Sequence, residues 1–453
     1  MDMKHVKYLA LALCIGNLSP VMAQTASKSL TVDNLVAWQR ISGQAISDNG
    51  KWVACKMEPW EGDAVVSLYD AQGKELATFP QAGRFLFSAS SDYLVVSQKP
   101  GKMIMDSLKI KKTKKEKIPM DALVIYSLAG NREVIDSLRT FKLAEKMDWL
   151  AFQKGKKDST LYVRPLNGKL STRYEAPAVK AFNFVEKSGM LYYITAGDKA
   201  KEKPGLYLLN TETGVKTLIK EGDGVFKQVT FDEDGANLAF LYCAQKDSCY
   251  KGMSLWLSQQ GAPAAEIAAR GNQAFPKGWV ISEHGKLQFS KSASRLFFGT
   301  SPEPRQKDTL QLAENRPNVQ VWSWDEPVQY TVQNYNKEKE LKRSYQAVYH
   351  INSGRICQLA DEELSQILLG DEGDAPLALL STSRPYSLSS MWEGRTRSDY
   401  YTVSLEDGSR KLLASADYGR YRLSPQGKYA YWYAETDSCW YTLSMADGKK
   451  VQL

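Results

Sequence analysis

Few residues of this chain combine the types and spacing that catalysis needs. Ser248-Cys249-Tyr250-Lys251 spells Ser-x-x-Lys, in which a lysine could serve a serine nucleophile. It falls in a hairpin turn and not at a helix start, and motifs this short recur by chance, so it reads as a turn. Asp361-Glu362-Glu363 and Asp371-Glu372 could offer paired carboxylates for acid–base work on a glycoside. Adjacent acids on one loop are ordinarily solvated charge or helix-start residues. Beyond residue 23 the histidines are His284, in a Glu-His-Gly turn, and His350, in a strand before Asn352-Ser353-Gly354. A serine nucleophile needs a base within reach and donors for an oxyanion. No Gly-x-Ser-x-Gly accompanies these histidines, and both read as structural.

Other signatures are missing as well. The sequence holds no Gly-x-Gly-x-x-Gly, no Walker loop, no His-Glu-x-x-His and no EF-hand loop. It holds no Cys-x-x-Cys and no Cys/His cluster with zinc spacing. The expectation is no catalytic residue, no cofactor and no metal site. Cys55, Cys243, Cys249, Cys357 and Cys439 follow the leader, an odd number, so at least one thiol stays free or pairs between chains. Cys243 and Cys249 flank the hairpin turn and could close a small disulfide loop in an oxidising compartment.

Residues 1–23 read as a signal peptide: Lys4 and Lys7, a short apolar run over 8–16, then Val21-Met22-Ala23. Cleavage is expected after Ala23, giving a periplasmic or secreted product. Cys14 raises a lipoprotein alternative, for which Leu13 is a poor preceding residue. No later run of eighteen apolar residues exists, so no integral membrane segment is expected. The leader carries two lysines and one aspartate of the chain's 59 basic and 51 acidic residues, leaving 57 − 50 = +7. That excess is concentrated: residues 99–117 hold eight lysines against Asp106 and Glu116. The stretch could meet an anionic partner, nucleic acid or lipid head groups. A solvated loop between two strands is the favoured reading, and export argues against nucleic acid.

The organisation around these residues is repetitive. The stretch 232–257 is a turn, a strand, a turn and a strand, and it returns at 423–445, about 190 residues later. Gly427 answers Gly235, and Asp437-Ser438-Cys439 answers Asp247-Ser248-Cys249. Hairpins of the same kind start at Lys51, Tyr93, Trp149, Met190, Arg295 and Leu377, making eight candidate units roughly 40 to 60 residues apart. In the sixth, Arg295–Thr300 is expected to pair with Val319–Trp324, and 337–343 to form a loop tip. Helical pattern is confined to 31–41 and to 361–367. Four short antiparallel strands per unit is the pattern of a propeller blade, which must stack on its neighbours to bury its faces. The fold class expected is all-β, a β-propeller of seven or eight four-stranded blades.

Ser424-Pro425-Gln426-Gly427-Lys428 and Ser47-Asp48-Asn49-Gly50-Lys51 resemble the turns that open the blades of TolB-like and prolyl-oligopeptidase-type propellers. Residues 30–55, 318–327 and 347–361 resemble the propeller of exported prolyl oligopeptidase family serine peptidases of Bacteroidetes type. Members of that family carry an α/β-hydrolase domain after the propeller, and nothing in 24–453 matches its nucleophile elbow. The resemblance implies a propeller over 24–453, incomplete or open at its C-terminal end, that binds or filters peptides without catalysis. It also implies two alternatives: a part of an active serine peptidase whose hydrolase domain is encoded elsewhere, or a TolB-like envelope interaction propeller. The partners expected are a peptide or protein ligand, or a separate hydrolase domain.

Overall fold

Strands such as Trp149–Lys154, Met190–Thr195, Asn237–Cys243 and Arg295–Pro302 are almost continuously apolar and almost wholly buried. A strand reads this way when both faces of its sheet are covered. Strands such as Glu75–Pro80 and Arg410–Asp417 are mostly exposed and mix polar with apolar residues. The sequence thus marks, within each repeat, which strand lies centrally and which lies at the rim.

A computed structural model of the chain describes residues 31, 34, 38–167, 173–198, 202–245, 252–304, 312–315 and 319–453. The expected leader, its cleavage point at Ala23, Cys14 and Cys249 lie outside these residues, so the Cys243–Cys249 pairing is not addressed. About 48% of the structure is strand and 10% helix. The strands form antiparallel meanders in chain order: five sheets of four strands, one of five and one of seven. We number the repeat units as sheets 1 to 8: the seven-stranded sheet, Ala82–Phe87 to Tyr174–Ala176, counts as sheets 2 and 3, joined through the long strand Arg132–Leu143, and sheets 4, 5, 6 and 7 begin at Val179, Val225, Trp279 and Gln366. Sheet 1 comprises Gln39–Ile46, Trp52–Pro59, Val65–Asp70 and Glu75–Pro80. Sheet 8 comprises Arg422–Leu423, Tyr429–Ala434, Cys439–Ser444 and Lys450–Gln452, so its fourth strand is supplied before Leu453. The described residues form seven hydrogen-bonded sheets, or eight repeat units when the seven-stranded sheet is counted as two, within the expected seven or eight.

The chain divides into two units, residues 1–87 with 94–135, and 88–93 with 136–453. In the first, Ala54, Val66 and Leu68 of sheet 1 pack against Leu94, Val96 and Val124 of sheet 2. In the second, consecutive sheets share buried clusters: Leu161 and Val163 with Leu191 and Tyr193, then Leu206 with Phe240, then Leu241 and Leu255 with Leu296. Phe297 and Val348 then meet Leu380 and Val403, and Leu379 and Tyr400 meet Trp432.

The repeated opening turn has a local cause. Ser47, Ser88, Ser290 and Ser424 each accept, through Oγ, the backbone N–H five residues on, at 3.0 to 3.3 Å. Asp232 does the same for Asn237 at 3.1 Å. The residue three after each sits at positive φ, between 56° and 71°: Gly50, Ser91, Gly235, Ala293 and Gly427. Glycine is favoured there because a Cβ in that region costs roughly 1–2 kcal/mol.

Several expectations need correction. Val319–Trp324 is not a strand; Arg295–Pro302 pairs instead with Tyr345–His350. Apolar alternation makes a strand only where a partner edge is free, and that edge is taken. Residues 337–343 are no loop tip, for helix α2 spans Tyr330–Leu341. The lysine stretch is not plain loop either, for it contains helix α1, Lys102–Ile110. A third helix, α3, is Ser387–Glu393. In the 31–41 stretch Asn34 is helical, while Gln39, Arg40 and Ile41 belong to a strand, and 361–365 turns before the strand Gln366–Leu369.

One contact between sheets 5 and 6 stands out. The first strand of sheet 6 is broken into Trp279–Ile281 and Gln288–Phe289. Gln228 of sheet 5 fills the break: its Nε2 donates to the carbonyls of Glu283 and Gly285, each at 2.6 Å, and its Oε1 accepts from Leu287 N–H at 2.9 Å. Gly285 lies so close to Gly299 that a Cβ would meet its Cα at 2.3 Å. Gln228→Ala should strand these backbone groups and lower the unfolding free energy by about 1–3 kcal/mol in urea titrations. An unchanged midpoint would refute the role given to this side chain.

Candidate functional site

The loops of the sheets fall into two classes. Among the described residues, the turns joining first to second and third to fourth strands hold no α-helix. The loops joining second to third strands hold helices α1 to α3: α1 between Tyr93–Gln98 and Asp121–Ser127, α2 between Arg295–Pro302 and Tyr345–His350, α3 between Leu377–Thr382 and Ser398–Ser404. In an antiparallel meander these loops leave from one edge of the sheet. In a repeat protein, insertions gathered on one edge mark the surface that meets other molecules.

In the second unit that edge carries two clefts. The larger, about 580 Å³, is lined by Glu363, Leu364, Thr382, Arg384, Pro385, Asp399 and Tyr401. Thr382 ends one central strand of sheet 7, and Asp399 and Tyr401 begin the next, which places them at the mouth. Asp399 accepts hydrogen bonds from Tyr386 Oη at 2.6 Å, Ser415 Oγ at 2.8 Å and Ala416 N–H at 2.9 Å. Burial pushes its carboxyl up, but these donors outweigh it and hold the group below its ordinary value. It is a fixed anion rather than a base. Arg384, exposed at the rim, has no carboxylate partner among the described residues.

The smaller cleft, about 270 Å³, includes Arg395, Asp417, Trp432, Glu435, Asp437, Tyr441 and Lys450. Trp432 stacks on Tyr421 and Tyr441, with ring centroids 4.5 and 5.7 Å apart. Lys450 Nζ lies 4.1 Å from the Tyr441 centroid and 5.2 Å from that of Trp432. Asp417 accepts from Tyr421 Oη at 2.8 Å and Gly419 N–H at 2.7 Å. Between the clefts, Glu393 of α3 pairs with Arg397 and accepts from Tyr418 Oη at 2.8 Å. The hydrogen bond from Tyr418, then that from Arg397, holds the Glu393 carboxyl low. Trp392 beside it is 87% exposed.

Among the described residues, those singled out for chemistry lie apart from one another and have structural partners. Ser248, Cys249 and Lys251 lie outside the described residues. Asp361 caps its own turn, accepting from Glu363 and Leu364 N–H at 2.9 Å, and pairs with Arg410 at 2.6 Å. Glu372 pairs with Lys291 at 3.7 Å. His284 is exposed on its turn. His350 is buried in sheet 6, and its Nε2 lies 2.9 Å from the carbonyl of Leu405 in sheet 7. Cys357 Sγ lies 3.2 Å from the Glu406 carbonyl, and burial pushes its thiol up, the reverse of what a nucleophile needs. Cys243 Sγ lies 3.2 Å from the Gln245 carbonyl. No group of three potential metal ligands occurs among the described residues, and no helix there is long and apolar enough to cross a membrane. Arg384, Asp399 and Tyr401 escaped the sequence. The only signal was an insertion with Pro385 and Gly394 between two strands of the seventh repeat.

The serial antiparallel meanders define the class: this is an all-β protein of the β-propeller type. No family model matches the chain, and no curated protein matches it. Among solved structures it is similar to a eukaryotic initiation factor, at 9% identity over 92% of this chain and 88% of that one, TM-score 0.44. It is also similar to a prolyl endopeptidase, at 11% identity and TM-score 0.33. That match covers 92% of this chain and 50% of the other, so the chain spans half of the endopeptidase's length. A third is the β-propeller domain of the Trilobed protease from Pyrococcus furiosus, at 9% identity over 84% and 99%, TM-score 0.33.

Burial, first, and the Arg295 and Arg355 charges hold the His350 imidazole below its ordinary 6.5, against the opposing pull of the Leu405 carbonyl. A histidine depressed in the folded state takes its proton more readily when unfolded. Stability should therefore be unaffected above pH 6.5 and fall as pH drops below it. His350→Gln should flatten the dependence of the urea midpoint between about pH 7 and pH 5. Equal slopes in the two proteins would refute it.

Proposed function

We propose that the chain is an exported, non-catalytic propeller that binds and filters peptides at the loop-bearing edge of sheets 7 and 8. The observation that carries this is the composition of the larger cleft: a fixed anion at Asp399, a cation without a carboxylate partner at Arg384, and apolar surface from Leu364, Pro385 and Tyr401. Fixed charges of both signs beside apolar side chains suit a peptide, which brings its own charges, amide dipoles and apolar groups. The cleft's volume falls within the ~300–1,000 Å³ common for ligand sites. Asp399 and Glu393 at this edge accept hydrogen bonds that hold their carboxyls low, which suits recognition better than proton transfer. The sequence resemblance to the substrate-selecting propeller of prolyl oligopeptidase family enzymes supports the same reading, as does the expected leader at 1–23.

A pool of fluorescein-labelled, proline-containing octapeptides should bind the purified chain saturably in fluorescence anisotropy. Arg384→Glu should weaken that binding by roughly tenfold or more, the loss of one charge-assisted contact. The chain should not cleave proline amide substrates. No saturable binding, or equal binding by the variant, would overturn the site. Cleavage blocked by a serine-directed phosphonate would overturn the non-catalytic assignment.

A further inference from the structure

The lysine-rich loop of sheet 2 plays no part in the clefts, and its structure differs from the solvated loop the sequence suggested. Helix α1 projects from it with no buried residue. Asp63 Oδ1 accepts from Lys102 N–H at 2.8 Å and fixes the first turn. Gly101 is held against Gln81, where a Cβ would meet Nε2 at 2.9 Å. Met105 and Leu108 are half-buried on the inner side. On the outer side Met103, Ile104 and Ile110 are 87%, 56% and 82% exposed. At 100° per residue these three share one arc of the helix, with Ser107 between them and Lys102 and Lys109 at its flank. Lys111, Lys112, Lys114, Lys115 and Lys117 follow at once and are exposed. Residues 99–117 carry eight lysines and two acids, a net 8 − 2 = +6 of the whole chain's +8.

From this arrangement we infer that α1 and its lysine tail form a docking surface for an anionic lipid membrane. Charge complementarity selects the occupant. A soluble acidic partner would need only the lysines, and a neutral apolar partner only Met103, Ile104 and Ile110. A rigidly mounted helix with an outward apolar stripe beside a polybasic run joins both signals, as a helix lying in a charged bilayer interface does. Neither signal suffices alone. Three apolar side chains enter the interface weakly, and the lysines hold the helix there through the surface potential of acidic head groups. The contact is peripheral and reversible, and salt should weaken it.

The test is sedimentation of the full chain with vesicles of phosphatidylcholine containing about one third phosphatidylglycerol, against pure phosphatidylcholine. Two variants accompany it: one with Lys111, Lys112, Lys114 and Lys115 changed to Gln, the other with Met103, Ile104 and Ile110 changed to Ser. All these side chains are exposed, so both variants should keep the native circular dichroism. Binding to the acidic vesicles alone is expected, with each variant weakening it by roughly tenfold or more. Failure to bind acidic vesicles would overturn the proposal, as would equal binding to neutral ones. Binding that tolerates the Ser variant and is matched by heparin would also overturn it, assigning the loop to a soluble polyanion.

Discussion

Each repeat unit has a central strand that is apolar on both sides, and a single four-stranded sheet can cover neither. Burial of Leu161, Leu191, Leu206, Leu255, Leu296 and Leu380 to full inaccessibility requires a neighbouring sheet on each face. The rest of the structure depends on that requirement. It dictates that the sheets stack serially, that first-to-second-strand turns stay tight, and that variation is expelled to edges where packing does not control it. Sheet-to-sheet pins reinforce the stacking at the turns. Asp374 takes Ser292 N–H at 2.8 Å and Ser292 Oγ at 2.7 Å, and Asp148 takes Ser90 N–H at 2.9 Å.

The polar residues that first suggest chemistry belong mostly to this packing scheme. Asp361 satisfies backbone groups, as the turn residues Asp232 and Asp374 do elsewhere, and His350 bridges two sheets through one carbonyl. A carboxylate ringed by donors or an imidazole buried against a carbonyl is fixed in protonation state, so it suits structure better than turnover. What the scheme leaves unspent is concentrated at the second-to-third-strand loops. There the chain places Arg384, Arg395 and the exposed Trp392 in the second unit, with Tyr401 in the strand that follows, and the basic helix Lys102–Ile110 in the first.

The repeat was legible because its cause is local. An apolar run for the central strand and a Ser or Asp placed five residues ahead of a strand's first hydrogen bond are both written in adjacent residues. The sixth repeat misled because Val319-Gln320-Val321-Trp322 alternates like a strand, while pairing is decided by Tyr345–His350, many residues later. The clefts were not legible at all. Glu363, Arg384, Asp399 and Tyr401 become neighbours only when sheet 7 forms, and none has a spacing that announces its role. The helix Lys102–Ile110 was hidden by its own charge, since the lysines around Met103, Ile104 and Ile110 dominate any reading of composition.

The central claim is that recognition happens at the loop-bearing edge and not at the edge of tight turns. Hydrogen-exchange mass spectrometry of the chain with and without a bound proline-containing peptide measures this directly. The account predicts slowed exchange within 361–365, 382–401 and 415–437, and no change at the turns 47–50, 232–235 and 290–294. Protection confined to those turns, with the 382–401 loop unaffected, would contradict it.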